Sequence, residues 1–297
     1  NLTFLEDLKL RLSYGKSGND DIGESSARNY YEAVNYRETV GLYPAVVLND
    51  SLTYESVAQL NAGLDLSLFG NRFTANVDVF KSTTRDMIIR SPVEEYLGYD
   101  FEIENGGTME NKGLEINTYL RIIDGYNFKW DLQAMLTRVK NQITEIEGDK
   151  RIYQIPGGEK VNMKGAPAFS FYGYRYKGVY STQTDADDAG LVNERGIPYR
   201  AGDAIFEDIS GPDGQKDNVI DEYDKTTIGS SLPDYYGGIY NSFSYRRWTL
   251  SGFISFVSGN EVFNYVRYKN EQMTGLANQS LSVSNRWQYD GHDTDVP

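Results

Sequence analysis

One stretch of this chain, Asp208–Asp224 (DISGPDGQKDNVIDEYD), has residue types and spacing that could hold an ion. Calcium loops of the EF-hand kind set oxygen ligands at alternate positions, turn on a glycine and end on an acid. Asp208 and Ser210 fit the first two ligand positions. Asp217, Asn218, the Val219 carbonyl, Ile220, Asp221 and Asp224 follow after an insertion of about five residues, and the central glycine is missing. Calcium is thus the one cofactor the residues suggest, with Asp208, Ser210, Asp217, Val219, Asp221 and Asp224 as its ligand set. The plainer alternative is a solvated acidic loop. Ser181–Asp224 carries 12 acids against 3 bases, and like charge at that density needs water or a cation to screen it.

Enzymatic chemistry is poorly provided for. Cysteine is absent, which excludes disulfides, thiolate zinc sites and a cysteine nucleophile. Histidine occurs once, at His292, which reads as a surface residue and could not run imidazole catalysis alone. No HExxH, GxSxG or P-loop sequence is present. The 43 acids offer many carboxylate pairs for glycoside hydrolysis, but nothing marks one pair out. The expectation is that no residue is catalytic. A formal net charge of −14 argues equally against nucleic acid, whose phosphates need Lys and Arg.

Tyrosine is in excess, with 24 Tyr against 13 Phe and 3 Trp. Tyr30, Tyr31, Tyr96 and Tyr99 fall in long loops, together with Tyr36 and Tyr43. The first four are candidate stacking surfaces for a ligand; the alternative is that they pack the loops against one another.

The elements that must position these residues are strands. Leu60, Ala62, Leu64, Leu66 and Leu68 alternate with Asn61, Gly63, Asp65 and Ser67. After Gly70-Asn71 the pattern resumes as Phe73, Ala75, Val77, Val79 against Thr74, Asn76 and Asp78. A second hairpin runs Leu114–Ile122, turns at Asp124-Gly125 and returns through Phe128, Trp130, Leu132, Ala134 and Leu136. A third spans Tyr235–Ser258 and turns near Arg246-Arg247. Leu8–Lys16 and Phe169–Tyr180 are further strands, giving about eight of roughly ten residues, with no long amphipathic helix.

Turns inside hairpins are short, whereas Ser17–Val57, Ser82–Lys112, Ile143–Ala168 and Ser181–Leu232 are long. Compact domains seldom carry several loops beyond about 15 residues. Outer-membrane barrels do so routinely, with strands of about 9–11 residues that exceed the soluble average. Mean hydropathy is −0.54 and no run of 18 apolar residues occurs, which excludes a membrane helix and leaves a barrel open. In a barrel the Leu60–Leu68 and Phe73–Val79 apolar sets face lipid, while Asp65, Asp78, Glu115, Arg121 and Asp131 face a wet lumen.

The chain resembles the SusC/RagA family of TonB-dependent outer-membrane transporters. The similar segments are LKLRLSYGKSGN (Leu8–Asn19), NAGLDLSLFGNRFTANVDVFKSTTRDMI (Asn61–Ile88), NGGTMENKGLEI (Asn105–Ile116), GAPAFSFYGYRYKGVY (Gly165–Tyr180), the acidic loop with Ile228–Phe253, and RWQYDGHDTDVP (Arg286–Pro297). They occur in the family's order, although the family's acidic loop is more compact. The resemblance implies an all-β, antiparallel transmembrane barrel of about 22 strands, of which residues 1–297 form a carboxy-terminal part without the plug. It further implies the cell outer membrane as location, lipid around the wall, a SusD-like surface lipoprotein as lid, a TonB complex acting through the missing plug, and oligosaccharide or peptide cargo. The chain opens at Asn1 with no initiator Met or visible signal peptide and stops at Pro297 without a terminal strand, so it reads as a piece of a longer protein. Two other classes stay open at this point: a surface glycan-binding β-sandwich and a secreted glycoside hydrolase.

Overall fold

The computed structural model describes residues 4–19, 31–36, 39–44, 49–93 and 101–297. In chain order the strands are β1 (Leu5–Asn19), β2 (Tyr31–Tyr36), β3 (Thr39–Pro44), β4 (Glu55–Leu68), β5 (Phe73–Arg85), β6 (Ile88–Pro92), β7 (Phe101–Asn105), β8 (Thr108–Asp124) and β9 (Phe128–Glu145). They continue with β10 (Lys150–Ile155), β11 (Gly158–Met163), β12 (Ser170–Gly173), β13 (Tyr176–Val179), β14 (Val192–Asn193), β15 (Ala204–Phe206), β16 (Val219–Ile220), β17 (Thr226–Gly229), β18 (Tyr235–Tyr245) and β19 (Trp248–Ser258). The α-helices α1 (Gln183–Ala189) and α2 (Tyr265–Glu271) have seven residues each. Among the described residues no helix is long and apolar enough to cross a membrane.

The chain forms two compact units. The first comprises Asn1–Arg151, Asn162–Ala168 and Leu232–Asn260; the second comprises Ile152–Val161, Phe169–Ser231 and Glu261–Pro297. In the first unit seven long strands make one antiparallel sheet in the order β1-β4-β5-β8-β9-β18-β19. Side chains alternate across a strand, and paired residues share a face. The register therefore builds apolar ranks across the whole sheet. Leu10 pairs with Leu64, Leu64 with Val77, Val77 with Ile116, Ile116 with Leu136, Leu136 with Gly237 and Gly237 with Phe256.

The hairpin turns lie where the glycine, asparagine and arginine pairs place them. Gly70 and Asn71 adopt φ of 65° and 63°, the left-handed conformation that suits Gly and Asn in tight turns. Arg246 likewise turns at φ 53°. All three turns, after β4, β8 and β18, fall at one end of the sheet, and every longer connection leaves from the other.

Three expectations need correction. The wall strands run 11 to 18 residues rather than about ten, because their polar outer ends keep pairing beyond the apolar zigzag. Phe169–Tyr180 is not one strand: β12 pairs with β11 and β17, whereas β13 pairs with β15, so the segment breaks between its two partners. The long connections are also not bare loops. They contain the hairpins β2–β3 and β6–β7 and, after β9, the small sheets of β10–β17.

In the second unit Val161, Tyr172, Tyr180, Ala186, Ile220 and Val283 are buried. Helix α1 has both ends capped: Thr182 and Asp185 form a capping box, and Gly190 closes the helix in the left-handed conformation.

Candidate functional site

The two faces of the seven-stranded sheet differ in a way that decides its setting. Leu10 and Leu12 on the apolar face are 82% and 79% exposed, and Trp248, Leu250 and Ile254 are exposed on the same face. On the opposite face the charges are the sheltered groups. Arg11 donates to Asp65 through Nε at 2.9 Å and Nη2 at 2.8 Å, and to Asp78 at 2.8 Å, while Asn76 donates to Asp65 at 2.8 Å. The Asp78 side chain is only 17% exposed. Further along this face Arg121 pairs with Asp131 at 2.9 Å, where Tyr119 also donates. Glu110, which pairs with Lys81 and Lys112, shares the apolar parity instead and lies past the end of its zigzag, beyond Val79 and Leu114. A sheet in water would hide its leucines and expose its charges. This one is inverted.

Aromatic rings gather at the end that carries the short turns. Trp130 stacks on Phe243 at 5.5 Å and donates to Asn241 at 3.2 Å. Phe69, Tyr126, Tyr245 and Trp248 stand exposed nearby in sequence to the three turns. Rings with a polar tip suit a membrane–water boundary.

The second unit holds a polar–aromatic cluster that the sequence reading missed. Lys225 donates to Glu222 at 2.8 Å and Glu159 at 3.0 Å, with its Nζ 5.6 Å from the Tyr174 ring. Burial disfavours the lysine's charge, but these two carboxylates outweigh it and hold its pKa above the ordinary lysine value. Tyr174 packs on Phe206 at 5.4 Å and Tyr180 on Tyr199 at 6.2 Å. Burial raises the pKa of each of these three phenols; Glu222 adds to this at Tyr174, Asp203 at Tyr180, and the Tyr174 ring at Tyr199. A separate cavity of about 400 Å³ is lined by Ile155, Phe171, Tyr172, Ile228, Val262 and Phe263 among others. These groups come from segments as far apart as Ile155 and Phe263 and follow no period, so no local signal announces them.

The acidic loop is ordered by its own backbone. Asp224, fully buried, accepts the Ile209 and Ser210 amides on one oxygen, at 2.6 and 3.2 Å, and the Asp221 amide on the other, at 2.9 Å. Asp208 accepts the Asn218 amide at 2.9 Å, Asp217 that of Val219 at 3.0 Å, and Asp221 that of Tyr223 at 2.9 Å. Ser210 donates to the Gly211 carbonyl at 3.2 Å. As the loop stands, no three acidic or histidine side chains among the described residues converge closely enough to hold an ion. His292, expected at the surface, is half-buried and stacks on Tyr289 at 4.9 Å.

Of the tyrosines expected to meet a ligand, Tyr31 lies exposed on β2. Tyr30, Tyr96 and Tyr99 lie outside the described residues.

An inverted antiparallel sheet with long, ordered connections at one end defines the wall of a membrane-embedded barrel. The family model described as "TonB dependent receptor-like, beta-barrel" matches residues 1–193, and the chain belongs to that family. TonB-dependent receptor P3 of Formosa agariphila is 30% identical over 97% of this chain and 29% of its own length. TonB-dependent receptor SusC of Bacteroides thetaiotaomicron is 26% identical over 95% of this chain and 27% of its own length. A solved structure of the RagAB peptide transporter superposes with a TM-score of 0.80 at 27% identity, covering 99% of this chain and 32% of that one. The chain thus spans about three-tenths of the length of the relatives it matches. These relatives are receptors and transporters, not enzymes, and the chain is a partial barrel of their kind.

Proposed function

We propose that residues 1–297 form a carboxy-terminal part of the barrel of an outer-membrane importer, which takes up oligosaccharides or peptides too large for passive pores. In this reading the Leu10–Phe256 ranks contact lipid and the Arg11–Asp65–Asp78 face lines the passage. A SusD-like surface lipoprotein closes the outer mouth as a lid. A TonB complex on the periplasmic side moves a plug contributed by another part of the protein. No chemistry on the cargo is required.

The observation that carries the reading is the inverted sheet. A charge at the midplane of a barrel's lipid face costs about 2–4 kcal/mol, whereas lumen positions accept charge. The Arg11–Asp65–Asp78 and Arg121–Asp131 pairs lie on the sheltered face, and the one ion cluster of apolar parity, Glu110 with Lys81 and Lys112, lies past the end of the zigzag. The likeness to SusC and to the RagAB structure supports the lid and the coupling. RagAB is a peptide transporter, which favours peptides over sugars as the first cargo to try.

The test is uptake by intact cells. Deletion of the full-length receptor should abolish accumulation of a fluorescent peptide or oligosaccharide pool, and an uncoupler of the proton gradient should do the same in wild type. Antibody against the receptor should co-isolate a lipoprotein from detergent extracts. Unchanged uptake of both pools after deletion would sink the proposal.

A further inference from the structure

We propose that the apolar face of the wall carries a site for a phosphorylated lipid headgroup, just past the end of the zigzag and opposite the short turns. The register makes the site. Lys81 of β5 pairs with Lys112 of β8, and Lys112 pairs with Lys140 of β9, so three ammonium-bearing residues stand side by side in one rank. Arg138 holds the next rank down, beside Leu114 and Tyr235. All four share the face of Val77, Ile116 and Leu136, which form the rank after that.

Like charges directly opposite one another destabilise a sheet unless something neutralises them. Glu110 neutralises part of the row by pairing with Lys81 and Lys112. Lys140 and Arg138 are exposed and make no hydrogen bond or ion pair among the described residues. Four cations against one carboxylate leave the patch positive in a chain whose formal net charge is −14. Positive charge gathered so tightly attracts an anion from outside the protein.

The level of the patch says where that anion comes from. Phe128 to Arg138 along β9 covers about the 9–11 residues that a tilted strand needs to cross a bilayer. Tyr14, 72% exposed, lies in the rank of the three lysines, and Tyr235 lies in that of Arg138. Tyrosines at this height match the belt that marks a membrane–water boundary. The patch therefore stands at headgroup depth, with lipid chains against the ranks below it. Short turns are periplasmic in outer-membrane barrels, which puts this boundary in the outer leaflet. A phosphate monoester suits the patch best, with about −1.5 to −2 charges at neutral pH and three acceptor oxygens. Those oxygens engage Lys112, Lys140 and the Arg138 fork together, which a singly charged phosphodiester does less well. The inference rests on the apolar face meeting lipid and is independent of the cargo.

The experiment titrates the full-length receptor, purified in detergent, with diphosphorylated lipid A and with its dephosphorylated form. Native mass spectrometry counts the lipid bound. The two probes share their acyl chains and differ only in phosphate. Wild type should hold the phosphorylated form at least about tenfold more tightly. Lys140→Gln and Arg138→Gln, both at exposed positions, should each weaken that binding about fivefold and leave the dephosphorylated form unchanged. Glu110→Gln should tighten it, because Lys81 and Lys112 lose their internal partner. A purely structural cluster would show no such gain. Lys129→Gln, on the opposite face at the short-turn end, should bind as wild type does. Equal binding of both forms of lipid A would overturn the site and leave the lipid-facing wall intact. Equal affinity for phosphatidylglycerol would overturn it in favour of diffuse attraction to anionic lipid. Displacement by inorganic phosphate at equal concentration would replace it with a site for a free anion. A receptor that binds neither form and stays soluble without detergent would instead remove the wall itself.

Discussion

The Arg11 guanidinium reaches past an intervening strand to Asp78, two strands away, at 2.8 Å. It can do so because Gly63 of β4 stands between them. A Cβ there would lie 2.7 Å from the Arg11 guanidinium carbon and closer still to the Asp78 carboxylate. Glycine inside a strand often marks such a close approach. Gly63→Ala should therefore overpack the cluster, at a cost of about 1–3 kcal/mol. In the full-length receptor this reads as a lower temperature for the shift between folded and unfolded bands on a gel. Gly15→Ala, on the same face of β1 where a Cβ meets nothing within 4 Å, should leave the transition unmoved. Equal shifts for the two would show that the ion pair does not depend on the gap.

The inverted polarity can be tested with one charge placed on either face. Leu64→Arg, mid-strand on the apolar face between Leu10 and Val77, should lower folding stability in lipid by about 2–4 kcal/mol. Asn117→Arg, opposite Asn76 on the polar face, should cost far less. Urea titration of the receptor refolded into vesicles measures both, and a reversed order would overturn the assignment of faces.

How much of this was legible in the sequence follows from where each signal resides. The β4–β5, β8–β9 and β18–β19 hairpins were readable because alternation and turn chemistry are local: Gly70-Asn71 and Arg246-Arg247 mark the bends they form. Strand ends were not readable. The outer residues of β8 and β9, such as Asn111 and Asn141, which hydrogen-bond each other at 2.6 Å, are polar on both faces and show no period. The second unit was largely hidden. Its strands have two to six residues and its contacts, such as Lys225 with Glu159, join positions 66 apart. The acidic loop was found as a motif, but the hold of buried Asp224 on three backbone amides needed the fold to see.

The hairpin of β6 and β7 carries a pH dependence. Glu104 is held below the ordinary glutamate range: burial alone would raise it, but hydrogen bonds from Ser91 and from Arg151, the latter at 2.8 Å, overcome that effect. A carboxylate whose folded pKa is depressed contributes stability that is complete above its unfolded value and vanishes as pH falls through the folded one. Amide exchange in β6 and β7, corrected for intrinsic rate, should show protection that is flat near neutrality and declines below the ordinary carboxylate range. Glu104→Gln should be less protected at neutral pH and lose that decline. A variant with an unchanged profile would show that Glu104 is not responsible.

Lys225 offers a test of the second unit. It is nearly buried and donates to two carboxylates: its charge-assisted bond to the sheltered Glu159 is of a kind worth about 1.5–3 kcal/mol, whereas its pair with the exposed Glu222 is screened by water and worth less. Lys225→Met should leave Glu159 without its cation and speed proteolysis within residues 181–231. Lys225→Arg should be cleaved at close to the wild-type rate. Equal cleavage of Met and wild-type chains would remove the ion pairs from any structural role.

The order β1-β4-β5-β8-β9-β18-β19 never doubles back. Each wall strand docks on the wall strand made before it, so the wall can zip together processively, and three of its six closures, after β4, β8 and β18, are short-range events of the kind that fold fastest. One step is far longer than the others. Between β9 and β18 lie residues 146–234, which include most of the second unit, and β18 cannot find its partner until that insert has gathered its ends. Assembly therefore has its longest pause here, with β9 exposed as a growing edge open to misplaced strands.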